Sequence, residues 1–132
     1  MDPVDEVTQR TRAVAAGITP FAARVKSVTS GSMYFQSVYA RLESDTDVGA
    51  AIVAANKAAQ LALTPGKLVD YMPHLSLVYG DFTDADKVEA IRELDKALSG
   101  LEFNIESVQV WSTQGEVSEW YLVDEIPFSA VP

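Results

Sequence analysis

The sequence has 132 residues, 48% of them hydrophobic, which suits one domain with a real core. Its formal net charge of −9 opposes binding to polymeric nucleic acid, because a field of that sign repels phosphates. The absence of cysteine excludes a disulfide framework, and one histidine is too few for an ordinary zinc site.

Several other function classes lack their sequence signatures. No Gly-x-Gly-x-x-Gly, P-loop or Gly-x-Ser-x-Gly motif is present, so we expect no cofactor and no serine-hydrolase nucleophile. No apolar run approaches the roughly 20 residues of a membrane span, and the acidic start does not resemble a signal peptide. The sequence therefore favours a cytoplasmic protein with neither a metal nor a membrane partner.

The first half of the chain predicts a helix, a hairpin and a second helix. Asp2 and Pro3 are typical of a helix start, and Gly17 of its end. Its apolar face is expected to hold Val4, Val7, Val14 and Ile18. Strands are predicted over 21–28 and 33–42, with a turn at 30–32. Thr46 predicts the cap of a helix that ends near residue 63 and buries Val48, Ile52, Ala55, Ala59 and Leu63.

The second half predicts a strand, a helix and two closing strands. Pro73 and Gly80 bound a short apolar strand over 74–79. Thr83 caps the next helix, Gly100 follows its end, and its inner face is predicted to be Val88, Ile91, Leu94 and Leu98. Strands over 101–111 and 119–126 follow, joined by a turn around Gly115. This order is typical of an α+β fold with helices that cover sheet faces.

Two polar residues interrupt the apolar strand at 74–79. Alternation in a strand places His74, Ser76 and Val78 on one face, and we expect this strand to be buried. An imidazole and a hydroxyl side by side can bind one phosphate, and the imidazole can transfer a proton near neutral pH. The alternative is a core histidine satisfied by backbone groups, and the spacing alone favours neither interpretation.

The segment YMPHLSLVY at 71–79 resembles the second signature of the two-histidine phosphoesterases, particularly the cyclic phosphodiesterase-like branch. That signature is a strand with His-x-Ser/Thr, preceded by proline and often followed by tyrosine. The segments at 25–31 and 34–38 resemble the hairpin that precedes it. The resemblance implies two antiparallel β lobes around a cleft, with helices outside. It also implies metal-independent chemistry in which one histidine is the general base, another is the general acid, and hydroxyls hold the phosphoryl oxygens.

The first signature of that family is absent, since His74 is the only histidine. We therefore interpret residues 1–132 as a single cyclic phosphodiesterase-like domain, N-terminally incomplete, that lacks the family's first strand, helix and strand. Three explanations stay open: a truncated product, a half-site that binds without cleaving, or a homodimer that completes the site with two copies of His74. The last would also cover exposed sheet edges.

The predicted function is hydrolysis or binding of small cyclic phosphates, namely ADP-ribose 1″,2″-cyclic phosphate or nucleoside 2′,3′-cyclic phosphates, with a role in RNA processing. His74 and Ser76 are the predicted catalytic residues. Candidate substrate-binding residues are Tyr79, Tyr34, Gln36 and Trp111. Tyr79 needs a bulge or strand end to reach the His74 face, and each aromatic residue has a core position as its alternative. The alternatives for the whole chain are a phosphate-binding module and a structural remnant.

Overall fold

The computed structural model describes residues 2–32 and 37–131. Within them lie helices α1 (Pro3–Ala16), α2 (Gly49–Leu63) and α3 (Asp84–Leu98). The strands are β1 (Phe21–Ser30), β2 (Val38–Leu42), β3 (His74–Val78), β4 (Glu102–Ile105), β5 (Ser107–Ser112) and β6 (Tyr121–Pro127). The α+β class is confirmed. No helix in the described ranges is long and apolar enough to cross a membrane.

The chain divides into two compact units. Unit 1 comprises Met1–Phe21, Ala54–Val69 and Asn104–Pro132, and unit 2 comprises Ala22–Val53 and Asp70–Phe103. In unit 1, β5 pairs with β6 in antiparallel fashion and α1 contacts both strands. The rings of Phe21 and Phe128 stack there, with centroids 5.9 Å apart. The candidate site predicted from the sequence at His74 and Ser76 belongs to unit 2.

A four-stranded sheet in the order β3-β2-β1-β4 organises unit 2. Both the β1–β2 and the β2–β3 pairs are antiparallel. The helix α3 packs against β2. One face of the sheet supplies the core, and its buried side chains are Ala23, Val25, Val28, Val38, Ala40 and Leu42.

The predicted apolar face of α1 is wrong at its first two residues, Val4 and Val7, although the caps of the helix are confirmed. The Asp2 carboxylate accepts from the Val4 N–H at 2.8 Å, and the helix ends at Gly17. Val4 is exposed, and the buried residues are Thr8, Thr11 and Ala15. The Thr8 and Thr11 hydroxyls can be buried there because each donates a hydrogen bond to the carbonyl four residues earlier, at 2.8 and 2.7 Å.

The start of α2 lies at Gly49, three residues after the predicted cap. The Thr46 hydroxyl accepts from the Gly49 N–H at 3.1 Å, as a cap does. A Cβ at position 49 would lie 2.4 Å from the Glu43 carbonyl oxygen, so the close packing requires glycine. Of the predicted inner stripe, Ile52 is buried and the other four residues are half-buried.

The predicted strand over 101–111 is two strands. β4 joins the four-stranded sheet, whereas β5 pairs with β6, and Glu106 separates them. The Glu106 carbonyl accepts from the Phe128 N–H at 2.8 Å. The two halves have different partners, a distinction that apolar patterning does not encode. The predicted second strand, 33–42, is confirmed only over β2, since residues 33–36 lie outside the described ranges.

The helix α3 follows its prediction at both ends, but Val88 of its predicted inner face is exposed. Through Asp95, the helix also bonds to β1. The Thr83 hydroxyl accepts from the Asp86 N–H, and Gly100 has a positive φ of 83°. The Asp95 carboxylate accepts from the Val28 N–H and from the Ser99 hydroxyl, each at 2.8 Å. Both hydrogen bonds lower the pKa of Asp95, and the bond from the Val28 N–H has the larger effect.

We expect Asp95→Asn to destabilise the protein at neutral pH and to have little effect in acid. The folded-state pKa of Asp95 lies below its ordinary value. The Asp95 carboxylate therefore makes its full contribution to the unfolding free energy above the ordinary pKa, and this contribution is lost as pH falls through the folded-state pKa. Urea denaturation at about pH 7 and about pH 2 measures the difference in unfolding free energy between wild type and variant. Asp81→Asn, at an exposed loop position, is the control. An equal deficit at both pH values would contradict this prediction.

Candidate functional site

His74 and Ser76 lie on β3, which is the edge strand of the described sheet. Both residues are half-buried, and no residue of β3 is fully buried, so the expectation of a buried strand is wrong. The start of the strand is nevertheless firmly anchored. Pro73 is fully buried, and its carbonyl accepts from the Leu42 N–H of β2 at 3.0 Å. This anchor sets the register in which His74 enters the sheet.

Strand register brings six polar or aromatic side chains to one face of unit 2, which we name the polar face. It consists of two cross-strand rows: Ser27, Arg41 and His74 form the first, and Thr29, Tyr39 and Ser76 form the second. Neighbours in a row belong to adjacent strands, which lie about 4.8 Å apart. None of the six is acidic, and Arg41 supplies the positive charge.

The opposite face of the same three strands is apolar. Its corresponding row is Val28, Ala40 and Leu75, of which the first two are buried. The pleat therefore separates a core face from a polar face in every strand. Ser27, Thr29, Tyr39 and Arg41 are site-face residues that were not predicted. Their signal was present, because polar and apolar residues alternate along SVT at 27–29 and VYARL at 38–42.

A bulge in β3 changes which of its residues share a face. Ser76 is opposite Tyr39, but Val78 is opposite Val38, so Leu77 is the extra residue. Val78 thus shares the core face with Val38, and both line a cavity of about 260 Å³ with Phe82, Asp86, Lys87 and Ala90. The prediction that Val78 shares a face with His74 is wrong. Leu77 is thus a bulge close to Tyr79, of the kind that the prediction for Tyr79 requires.

The imidazole of His74 makes a hydrogen bond and an aromatic contact. Its Nδ1 lies 2.9 Å from the Met72 carbonyl oxygen, which can only accept, so Nδ1 carries the proton. In the neutral ring, Nε2 is then the nitrogen that accepts a proton. The Tyr39 ring meets the imidazole edge-to-face, with centroids 5.7 Å apart and an interplanar angle of 73°. This arrangement suits a residue that takes up or releases a proton at Nε2.

Of the remaining predicted site residues, the structure describes Tyr79 and Trp111. Tyr79 follows β3 directly and is 51% exposed. Trp111 belongs to β5 of unit 1, where its indole N–H donates to the Gln109 side-chain oxygen at 2.8 Å. Tyr34 and Gln36 lie outside the described residues. The structure therefore brings His74 and Ser76 together on one face.

Side chains that could bind a metal ion do not cluster in the ranges 2–32 and 37–131. No group of three or more His, Cys, Asp or Glu side chains there could hold a metal ion. In the segment that precedes β3, burial raises the pKa of Tyr71, which keeps its phenol protonated at neutral pH.

Comparison with known proteins gives two findings. A sequence model of the family described as "Cyclic phosphodiesterase-like protein" matches residues 1–128. An Arabidopsis thaliana protein named "Cyclic phosphodiesterase" is 28% identical over 115 residues, which cover 85% of this chain and 61% of that protein. The chain therefore spans less than two thirds of the length of this relative.

We expect Tyr39→Leu to release the His74 ring, whereas Tyr39→Phe keeps the edge-to-face contact. An aromatic pair of this kind contributes about 0.5–1.5 kcal/mol beyond its buried area. Because His74 is the only histidine, its ring protons give unique NMR signals. Tyr39→Leu should shift them and lower the unfolding free energy by about that amount. Unchanged ring signals in Tyr39→Leu would show that the contact does not hold the imidazole.

Proposed function

Since this chain belongs to the cyclic phosphodiesterase-like family, we propose that it hydrolyses small cyclic phosphates on the polar face of unit 2. The proposal rests on the placement of His74 and Ser76 together on that face. In addition, Nδ1 of His74 donates a hydrogen bond to the Met72 carbonyl. The proposed substrates are nucleoside 2′,3′-cyclic phosphates and ADP-ribose 1″,2″-cyclic phosphate. The related protein from Arabidopsis thaliana is named "Cyclic phosphodiesterase".

In the proposed reaction, a water oxygen attacks the phosphorus of the cyclic diester. One P–O bond forms, one P–O ester bond breaks, and the ring opens to a phosphomonoester with a free hydroxyl. A base takes one proton from the water, and an acid gives one proton to the leaving oxygen. His74 performs one of these transfers through Nε2, because Nδ1 is held by the Met72 carbonyl. The Ser76 hydroxyl donates to a phosphoryl oxygen.

The second proton transfer needs a partner for His74. The sequence has a single histidine, and we propose that a second copy of the chain supplies the other one. The edge position of β3 is compatible with such pairing, because an edge strand is where another chain can approach. Sedimentation at micromolar concentration tests this part of the proposal. A monomer with full activity would overturn it.

A binding module is the second candidate, and the single histidine is the observation that favours it. One positioned proton transfer is worth about 10²–10⁴-fold in rate, so a site with half of the pair can bind a phosphate and turn it over poorly. This alternative predicts saturable binding of a cyclic nucleotide without hydrolysis.

We expect metal-free hydrolysis of a nucleoside 2′,3′-cyclic phosphate by wild type, assayed with a chelator over about pH 5 to 8. His74→Ala should reduce the rate about 10²–10⁴-fold with the fold intact. Ser76→Ala should cost roughly ten- to a hundredfold, the range for a hydrogen bond to a charged group. Thr113→Ala, at an exposed loop hydroxyl, is the matched control for Ser76→Ala.

The outcomes separate the candidates. Loss of hydrolysis in His74→Ala with an unchanged melting temperature supports the hydrolase. Binding without turnover by wild type supports the binding module. A His74→Ala variant that is less stable but equal to wild type in ligand affinity and rate would assign His74 a structural role and contradict both candidates.

A further inference from the structure

Arg41 differs from the other arginines of the chain in its partners. Four of the five arginines form ion pairs with carboxylates within the described residues: Arg10 with Glu6, Arg12 with Asp124, Arg24 with Glu43 and Glu102, and Arg92 with Glu89. Arg41 has no ion pair among them, although the chain contains 19 acidic residues. Its side chain is exposed, so an anion from solution can reach it.

Arg41 lies next to His74 on the polar face. The two residues are opposite each other on β2 and β3, and Ser27 continues the same row on β1. Side chains directly opposite on paired antiparallel strands have Cβ atoms about 4.5–5.5 Å apart. The guanidinium and the imidazole therefore stand on one face within reach of one small ligand. The polar face contains no carboxylate that would compete for the guanidinium.

We propose that Arg41 is a substrate-binding residue that holds the two non-bridging oxygens of the cyclic phosphate beside His74. This inference rests on the proposed function. A cyclic phosphodiester carries one negative charge shared by two oxygens, and the planar guanidinium can bond both at once. Arginine keeps its proton, so it takes no part in proton transfer. Its role is to bind the anion and to stabilise the additional negative charge on the phosphoryl oxygens during attack.

The test measures binding separately from turnover. Isothermal titration with adenosine 2′,3′-cyclic phosphate compares wild type, Arg41→Gln and Arg41→Lys, with neutral adenosine as the second ligand. Arg92→Gln is the matched control, because Arg92 is an exposed arginine of the same unit. Arg41→Gln should weaken binding of the cyclic phosphate about ten- to a hundredfold, the range for hydrogen bonds to a charged group. Arg41→Lys should recover part of the affinity, since it keeps the charge and loses the paired geometry.

Each outcome decides the inference. Weaker binding of the cyclic phosphate with adenosine binding unchanged supports a contact between Arg41 and the phosphate. Wild-type affinity in Arg41→Gln, with hydrolysis intact, overturns the inference and leaves the proposed function standing. An equal loss for both ligands overturns it as well, because a contact to phosphate cannot affect adenosine. If wild type neither binds nor hydrolyses the cyclic phosphate, the proposed function and this inference both fail.

Discussion

Backbone pairing of β2 with β1 on one side and β3 on the other determines most of what unit 2 can do. The pairing places Arg41 between Ser27 and His74, and Tyr39 between Thr29 and Ser76. A shift of the register by one residue would turn these side chains to the core face and bring Ala40 and Leu42 to the other side. The buried core and the candidate site are therefore two faces of one hydrogen-bonded arrangement.

Two local features fix that register around His74. The carbonyl of buried Pro73 bonds to Leu42 and anchors the strand start, while the bulge at Leu77 ends regular alternation after Ser76. Between these points the strand presents one imidazole and one hydroxyl on the polar face. The Met72 carbonyl and the Tyr39 ring then hold the imidazole. A backbone carbonyl and an aromatic ring thus both contribute to the orientation of the His74 ring.

The charges of this protein also fit a selective anion site. A chain with a net charge of −9 repels large polyanions at long range, yet a guanidinium on the polar face attracts a small anion at short range. A monoanionic cyclic phosphate experiences both effects, and the local one acts at contact distance, where screening by salt is weakest. A large net negative charge and a local cationic group that can bind an anion are thus compatible in one molecule.

Local sequence features predicted the ends of α1 and α3, the α+β class, and the placement of His74 and Ser76 together in a short strand. These features depend on local chemistry: the caps at Asp2 and Thr83, glycine at Gly100, and alternation within two residues of His74. Tertiary structure decided the division of the predicted strand over 101–111, the edge position of β3, the bulge, and the recruitment of Tyr39 and Arg41. It also decided that α1 buries threonines. These features depend on which distant strand or carbonyl supplies a hydrogen-bond partner, and periodicity within one segment carries no information about partners in another.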